Sequence, residues 1–318
     1  MIAAHVGPDG DALGSGLALR YGLEQLGKEA WVISSDGVPN NCRYLPGWEE
    51  VMLAPPQQPQ CALIVDCDGT PNRVAAPFVF VEKAKARGLI DHHRTAQPIF
   101  DANWLDFDQP ATAMMIYELL GALGAKLTPA IAQCLLCGIS TDTGHFRHDN
   151  TSPAVLMAAA DFVRAGADVS GTAFKLFDER SLASTRLTGL GLGKMQSECD
   201  GQLLWTALSE NDFAKADAFD ESSEGLVNTL RSVRGVRMAM VMRERRDETG
   251  PTARVSVRCH PSMRADLFCQ KFGGGGHAAA SGCRVRFKPF AQAVESLVEA
   301  AREWVVQSHP PVSEAHEE

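Results

Sequence analysis

Near its start the chain packs a histidine and two carboxylates into His5-Val6-Gly7-Pro8-Asp9-Gly10-Asp11. Three further acid and histidine positions close apolar runs: Asp66 after Ala62-Leu63-Ile64-Val65, Asp91-His92-His93 after Gly88-Leu89-Ile90, and Asp142 within Ser140-Thr141-Asp142-Thr143-Gly144. A short apolar run ended by Asp or His is how a buried parallel strand delivers a ligand to its carboxyl edge. Four such edges converging would bring Asp and His side chains into one crevice. That much negative charge cannot be buried without cations, and oxygen-rich ligation with some imidazole suits a pair of divalent ions. The expectation is a two-metal phosphoester hydrolase.

Composition sets few obstacles to this reading. The chain has 318 residues, enough for two domains, with 45% hydrophobic and 22% charged residues. No run approaches the roughly 18 apolar residues of a membrane span, and no charged stretch followed by an apolar one precedes the first strand. Nine scattered cysteines, mostly within apolar segments, fit a reduced cytoplasm. Cys134 and Cys137 have the spacing of a zinc knuckle, but they lack a partner pair and fall in a helix-like stretch, where free cysteine packs as a small hydrophobe. The net charge of −9 argues against a general nucleic-acid coat, yet residues 228–290 hold thirteen Lys or Arg against four acids, a net of +9 that leaves −18 elsewhere. Such asymmetry suggests that metals and a phosphate chain are held by different domains, a solvated basic sheet face being the plainer alternative.

Short apolar runs alternate with helix-like segments from residue 1 to about 165. Strands are expected at Ile2–Val6, Ala30–Ser34, Ala62–Val65 and Gly88–Ile90, and helices at Ala12–Leu26, Ala111–Leu123 and Ile131–Gly138. This pattern argues for a parallel sheet with helices on both faces. Residues 152–197 read as helical, broken by Gly166 and by glycines 189, 191 and 193. Strands follow at Leu203–Leu208, Val236–Arg243 and Ala253–Arg258, then an amphipathic helix at Phe290–Val306. The expected fold is α/β: a parallel-sheet domain over 1–180, a helical connector over 181–200, a smaller α/β domain with a mixed sheet over 201–306, and a flexible tail over 307–318.

In order and spacing these clusters resemble the motifs of the DHH phosphoesterases, which take their name from the triplet at 91–93. The segment Gly273-Gly274-Gly275-Gly276-His277, followed by Ala278-Ala279-Ala280-Ser281-Gly282, resembles the signature of the domain usually attached to them. Among family members the short two-domain nano-RNases that also act as pAp phosphatases are most similar. The resemblance implies that His5 and Asp9 hold one metal, that Asp11, His92 and Asp142 hold the other, and that Asp66 bridges them. The residues support these roles separately: Asp9 and Asp11 lie two apart in a turn permitted by Gly7, Pro8 and Gly10, and a bridging carboxylate can hold two ions close enough to clamp a nucleophile and a phosphoryl oxygen. Each of these residues alone has a plain structural alternative as a turn, cap or surface residue. His93 is implied to touch the phosphate or serve as general acid. His145 and His148 are not expected to ligate. Mn²⁺ is the expected ion, with Mg²⁺ or Co²⁺ as alternatives.

Four consecutive glycines let backbone amides approach an anion closely. By resemblance, Gly274, Gly275, Gly276 and His277 act with an arginine on a preceding strand to grip the terminal nucleotide. In Val255-Ser256-Val257-Arg258-Cys259 that arginine is Arg258, while Cys259 stands where the family more often has serine. Family members usually carry a helix before the first strand, whereas here the strand opens almost at Met1. The expected partner is short single-stranded RNA or a nucleotide, gripped in a cleft between the domains, and the resemblance allows a homodimer. A cyclic-dinucleotide or linear-dinucleotide phosphodiesterase is the alternative enzyme, and a catalytically silent nucleotide sensor is the alternative from another class. Length argues against a processive RecJ-type nuclease. A missing Ser-Arg-Lys-Lys-type segment argues against a family-II pyrophosphatase.

Overall fold

In the computed structural model, which describes residues 1–219, 223, 225–247, 250–276, 278–286 and 289–308, the chain divides into two units, Met1–Glu179 and Arg180–Glu318. The first is built on five strands, β1 (Ile2–Ala3), β2 (Val32–Ile33), β3 (Cys61–Val65), β4 (Ala86–Asp91) and β5 (Ala102–Leu105), arranged in the order β2-β1-β3-β4-β5. Every pairing is parallel. Successive side chains turn to opposite faces, so Ile2, Val65 and Ile90 enter one core while Ala3, Ile64 and Leu89 enter another. Helices α1 (Gly10–Gln25), α4 (Thr112–Ala122), α5 (Pro129–Asp142) and α6 (Pro153–Arg164) supply the larger core, and the short α2 (Pro71–Val74) and α3 (Phe78–Glu82) contribute to the smaller one. The last helix of the unit, α7 (Val169–Ala173), packs on α5. The strand order reverses between β1 and β3, which opens a crevice beyond their carboxyl ends.

One expectation requires correction. Asp142 does not sit at a strand edge: it is the last residue of helix α5. Ile131–Ser140 is apolar enough to close a buried strand but long enough for a helix, and its length and the Thr128 cap decide for helix, with the Thr128 side chain accepting from Ile131 N.

Helices α1 and α5 cross with their backbones nearly touching. A Cβ on Gly14 would lie 2.3 Å from the Cys134 carbonyl oxygen, and one on Gly10 would lie 2.1 Å from Thr141 Oγ1. A Cβ on Gly138 would meet both Ala113 Cβ and Asp11 Oδ1 at 2.5 Å. These three glycines set the separation between the start of α1 and the end of α5.

The second unit opens with α8 (Leu182–Gly193), whose Leu187 is buried in that unit's core and whose Gly191 carbonyl accepts from Thr206 Oγ1 at 2.7 Å. The sheet comprises β6 (Gln196–Glu198), β7 (Leu203–Leu208), β8 (Met238–Asp247), β9 (Gly250–Cys259), β10 (Gly275–Gly276) and β11 (Ala280–Arg286), in the order β10-β11-β9-β8-β7-β6. Only β7 and β8 run parallel, so the sheet is mixed. Helices α11 (Ala265–Gln270) and α12 (Phe290–Gln307) cover Met240, Val255 and Val257 on one face. Helices α9 (Glu210–Ala216) and α10 (Leu226–Arg231) join α8 over Leu204, Ala239 and Val241 on the other. Among the described residues no helix is long and apolar enough to cross a membrane.

Gly14→Ala should lower stability by about 1–3 kcal/mol, because the added methyl group meets backbone and not a movable side chain. A urea unfolding curve measures this, and an unchanged midpoint would show that α1 and α5 separate without cost.

Candidate metal centre

The carboxyl ends of β1, β3 and β4 place the expected donors side by side. His5 follows β1 and is buried, Asp66 directly follows β3, and His92 and His93 directly follow β4. Asp9 caps α1, its Oδ1 accepting from the amides of Asp11 and Ala12 at 3.0 and 3.1 Å, which leaves Asp11 in the first turn of the helix. The end of α5 contributes Asp142.

Three sets of donor atoms each lie within 4.8 Å of one another: His5 with Asp9 and Asp66, Asp11 with His92 and Asp142, and Asp66 with His92 and His93. Asp66 faces two ways. Its Oδ2 is 3.6 Å from His5 Nε2 and its Oδ1 is 3.5 Å from His92 Nε2. His92 Nε2 also lies 3.1 Å from Asp142 Oδ2.

Hydrogen bonds around this set fix each donor. The Gln109 carbonyl 3.1 Å from His92 Nδ1 can only accept, so Nδ1 carries a proton and Nε2 is the nitrogen that would bind an ion once its own proton is displaced. The Val6 carbonyl does the same for His5 at 2.9 Å. His92 Nε2 is buried without a well-aligned hydrogen bond despite the carboxylates beside it, the arrangement of a nitrogen suited to share a cation with them. These residues therefore fit a divalent metal. Asp11 is held by the start of α4: Thr112 N and Ala113 N donate to its two oxygens at 2.6 and 2.9 Å, and Ser15 Oγ adds a bond at 3.1 Å. Thr112 Oγ1 also donates to Asp66 Oδ1 at 3.0 Å, so one residue holds carboxylates of both sets. The Asp142 carbonyl accepts from Asn150 Nδ2 at 3.2 Å, and His148 Nδ1 lies 3.2 Å from it.

Asp66 has a φ of 54°, a left-handed backbone unusual for a residue other than glycine. Strain of this kind concentrates where a side chain must be aimed.

His93 differs from His92. Its Nδ1 is 2.8 Å from Asp91 Oδ1, a carboxylate with no exposure, and this contact raises the imidazole above its ordinary pKa although burial opposes it. Asp91 was named in the sequence within its triplet but given no role, because it precedes the histidines at the end of β4.

The charges are strongly coupled. Burial, then the Asp66 and Asp142 charges, push Asp11 well above the carboxylate range. Burial likewise lifts Asp142 to about 6 against the pull of His92. Burial would lower His92, but Asp142 and Asp66 outweigh it and raise the imidazole to about 11. Burial also opposes ionisation of Asp66, yet the His5 and His92 imidazoles hold it well below the usual range.

In the second unit, Arg258 Nε donates to Asn228 Oδ1 at 3.1 Å and Nη1 to the Val257 carbonyl at 3.0 Å. Ser256 and Arg258 line a cavity of about 430 Å³ with Ser223 and Asn228. Within the glycine run, Gly275 and Gly276 pair with Gly282 and Ser281 as the exposed edge strand β10. A Cβ on Gly274 would lie 2.2 Å from the Gly282 carbonyl oxygen, and one on Gly276 2.7 Å from that of Ala280. Backbone packing thus requires glycine at 274 and 276. His277 lies outside the described residues. Cys134 and Cys137 are buried free thiols on α5, and neither His145 nor His148 belongs to a donor set among the described residues.

A parallel sheet edge carrying this donor set is that of a metal-dependent phosphoesterase. Residues 1–139 match the DHH family, N-terminal domain, and residues 201–307 match the DHHA1 domain. The chain is 35% identical over 303 residues to the bifunctional oligoribonuclease and PAP phosphatase NrnA of Thermus thermophilus, covering 95% of this chain and 89% of that one. It is 28% identical to the protein of the same name from Bacillus subtilis, covering 90% and 88%. An exopolyphosphatase-related protein from Bacteroides fragilis superposes with a TM-score of 0.84 at 23% identity, covering 95% and 91%. The chain belongs to the DHH family of phosphoesterases.

Binding of a divalent ion to this centre should displace protons, so apparent affinity should fall as pH drops below about 11, where His92 holds its proton, and further through about 6, where Asp142 takes up its own. Calorimetric titration in buffers of different ionisation heat measures the proton release, and pH-independent binding without release would refute the assignment.

Proposed function

We propose that the chain hydrolyses very short oligoribonucleotides to mononucleotides and removes a phosphate from pAp-like nucleotides, using two Mn²⁺ ions. The observation that carries this reading is the convergence of six donor residues on one sheet edge, in two sets that meet at Asp66. Relatives that span most of this chain and bear both activities in their names support the substrate class.

In this reading His5 and Asp9 would hold one ion, Asp11, His92 and Asp142 would hold the other, and Asp66 would be shared between them. When bound, the ions supply Lewis-acid polarisation of the phosphoryl group and lower the pKa of the attacking water. The chain's own residues do the rest. Thr112 and the α4 amides keep Asp11 and Asp66 in register. Asp91 orients His93 and favours its charged form, which leaves Nε2 to donate to the phosphate or to the departing oxygen. Arg258 binds a second phosphate of the substrate with a planar fork that lysine cannot copy. Nine free thiols suit the reducing cytoplasm as the place of action. An intact donor set argues against the silent-sensor alternative.

The test is hydrolysis of labelled two- to seven-mers, pAp and cyclic di-AMP with Mn²⁺. Two- to five-mers and pAp should be cleaved fastest. Preference for cyclic di-AMP would favour the alternative enzyme, and a 24-mer cleaved as fast as a 3-mer would overturn the size selection. Asp66→Asn should lose about 4 kcal/mol of transition-state stabilisation, roughly a thousandfold in kcat, with the fold kept. Near-normal turnover in that variant would refute the bridge.

His93→Ala should keep its bound metal and lose about 10²–10⁴-fold in kcat. Elemental analysis of the purified variant separates the roles: metal lost together with turnover would make His93 a ligand.

A further inference from the structure

Arg258 owes its direction to a helix and not to the sheet that carries it. Alternation along β9 sends Val255 and Val257 into the core beneath α11 and α12, so Ser256 and Arg258 face α10. The residues paired with Arg258 on its two neighbouring strands are Ala239 of β8 and Ala280 of β11. Neither alanine side chain can accept a hydrogen bond, and a long side chain lying over them keeps its rotamer freedom unless something outside the sheet holds it. Asn228 on α10 does so. Its Oδ1 accepts from Arg258 Nε at 3.1 Å, while the Val257 carbonyl accepts from Nη1 at 3.0 Å. Two acceptors on different nitrogens fix the plane of the guanidinium. Leu226, Val227 and Leu230 of the same helix are buried in the unit's core, so Asn228 stands on an anchored element although it is itself exposed.

Both acceptors are neutral. Other arginines of this chain are held by carboxylates: Arg264 by Asp266, Arg302 by Glu198 and Arg87 by Asp101. A carboxylate at position 228 would form the stronger, charge-assisted bond, and for stability alone it would be the better partner. It would also cancel the charge that attracts a phosphate. An amide of the same shape orients the guanidinium and leaves that charge in place. Asn228 and Arg258 line one cavity of about 430 Å³ together with Ser223 and Ser256.

We propose that Asn228 is a positioning residue for the phosphate clamp: it aims Arg258 at this cavity without neutralising it. The inference rests on Arg258 gripping a phosphate of the substrate. Asn228 acts through Arg258, so its effect should appear in binding and should vanish when the arginine is removed.

The experiment uses the full chain with Mn²⁺ and a dinucleotide whose scissile phosphate is replaced by a phosphonate that resists hydrolysis. Asn228→Ala should raise Kd about tenfold, the loss of one hydrogen bond to a charged group. Asn228→Asp keeps the shape of the side chain and its Oδ1 acceptor, so a merely structural bond would survive it. This variant should nevertheless weaken binding by about tenfold or more and flatten its salt dependence, because the arginine is then compensated from within the protein. In an Arg258→Ala background, Asn228→Ala should add less than about twofold. With authentic dinucleotide, the change in Asn228→Ala should lie in KM, kcat staying within about twofold of the wild type. Urea midpoints should match the wild type, and Asn228→Asp carries the test if the alanine variant loses stability. Wild-type Kd in either single variant of Asn228, additive losses in the double variant, or a fall in kcat at constant KM would overturn the positioning role. An unchanged Kd in Arg258→Ala, or no binding by the wild type, would overturn the clamp and the positioning role with it. Binding of the analogue without hydrolysis of authentic dinucleotide would sink the proposed activity and leave the role of Asn228 to be decided by Kd.

Discussion

A carboxylate with 1% exposure on a left-handed backbone is a costly thing to build, and Asp66 is both. Its charge cannot be left uncompensated in a protein interior. His5, His92 and Thr112 surround it, and the carboxylates of Asp9, Asp11 and Asp142 stand beyond. Imidazoles and hydrogen-bond donors moderate these acids, while burial first and the neighbouring carboxylates second raise Asp11 and Asp142, a setting that further positive charge would relieve. The centre is thus assembled around a deficit that divalent ions would remove.

The two units divide the chemistry by charge. Acids collect at the crevice of the parallel sheet, where strand ends and helix starts supply both ligands and amide donors. Arginines collect on one face of the mixed sheet, where alternation along β8, β9 and β11 brings them into rows.

Much of the metal centre was legible because strand ends have a simple signature. Asp66 and His92 close or follow apolar runs, and the Gly-Pro-Asp-Gly-Asp turn marks where Asp9 and Asp11 leave β1. Asp142 was legible as a donor and the helix at Ile131–Gly138 was legible too, but that this helix runs on to end at Asp142, so that a helix and not a strand edge delivers it, was not. Edge strand β5 escaped notice because Ala102–Leu105 is only partly buried and mixes Asn with Trp. Thr112 and Ala113 were invisible because their contribution is made by backbone amides whose placement depends on residues a hundred positions earlier. The glycine run was read as a bare-amide nest. Its glycines at 274 and 276 also answer to close packing against β11, which only strand pairing reveals.

The crossing of α1 and α5 acts as a mechanical stop. Where two helices touch through side chains, their spacing changes whenever a leucine becomes a valine or a methionine. Here Gly14 meets the Cys134 carbonyl and the Gly138 amide, so the limit at that point is the main chain itself, while Gly10 and Gly138 leave room for the side chains of Thr141 and Asp11. Surrounding core positions such as Leu13, Leu17 and Leu135 can therefore drift in size over evolutionary time while the gap between Asp11 and Asp142 stays constant. The spacing of these two carboxylates then depends on glycine and main chain more than on the size of the hydrophobic side chains around them.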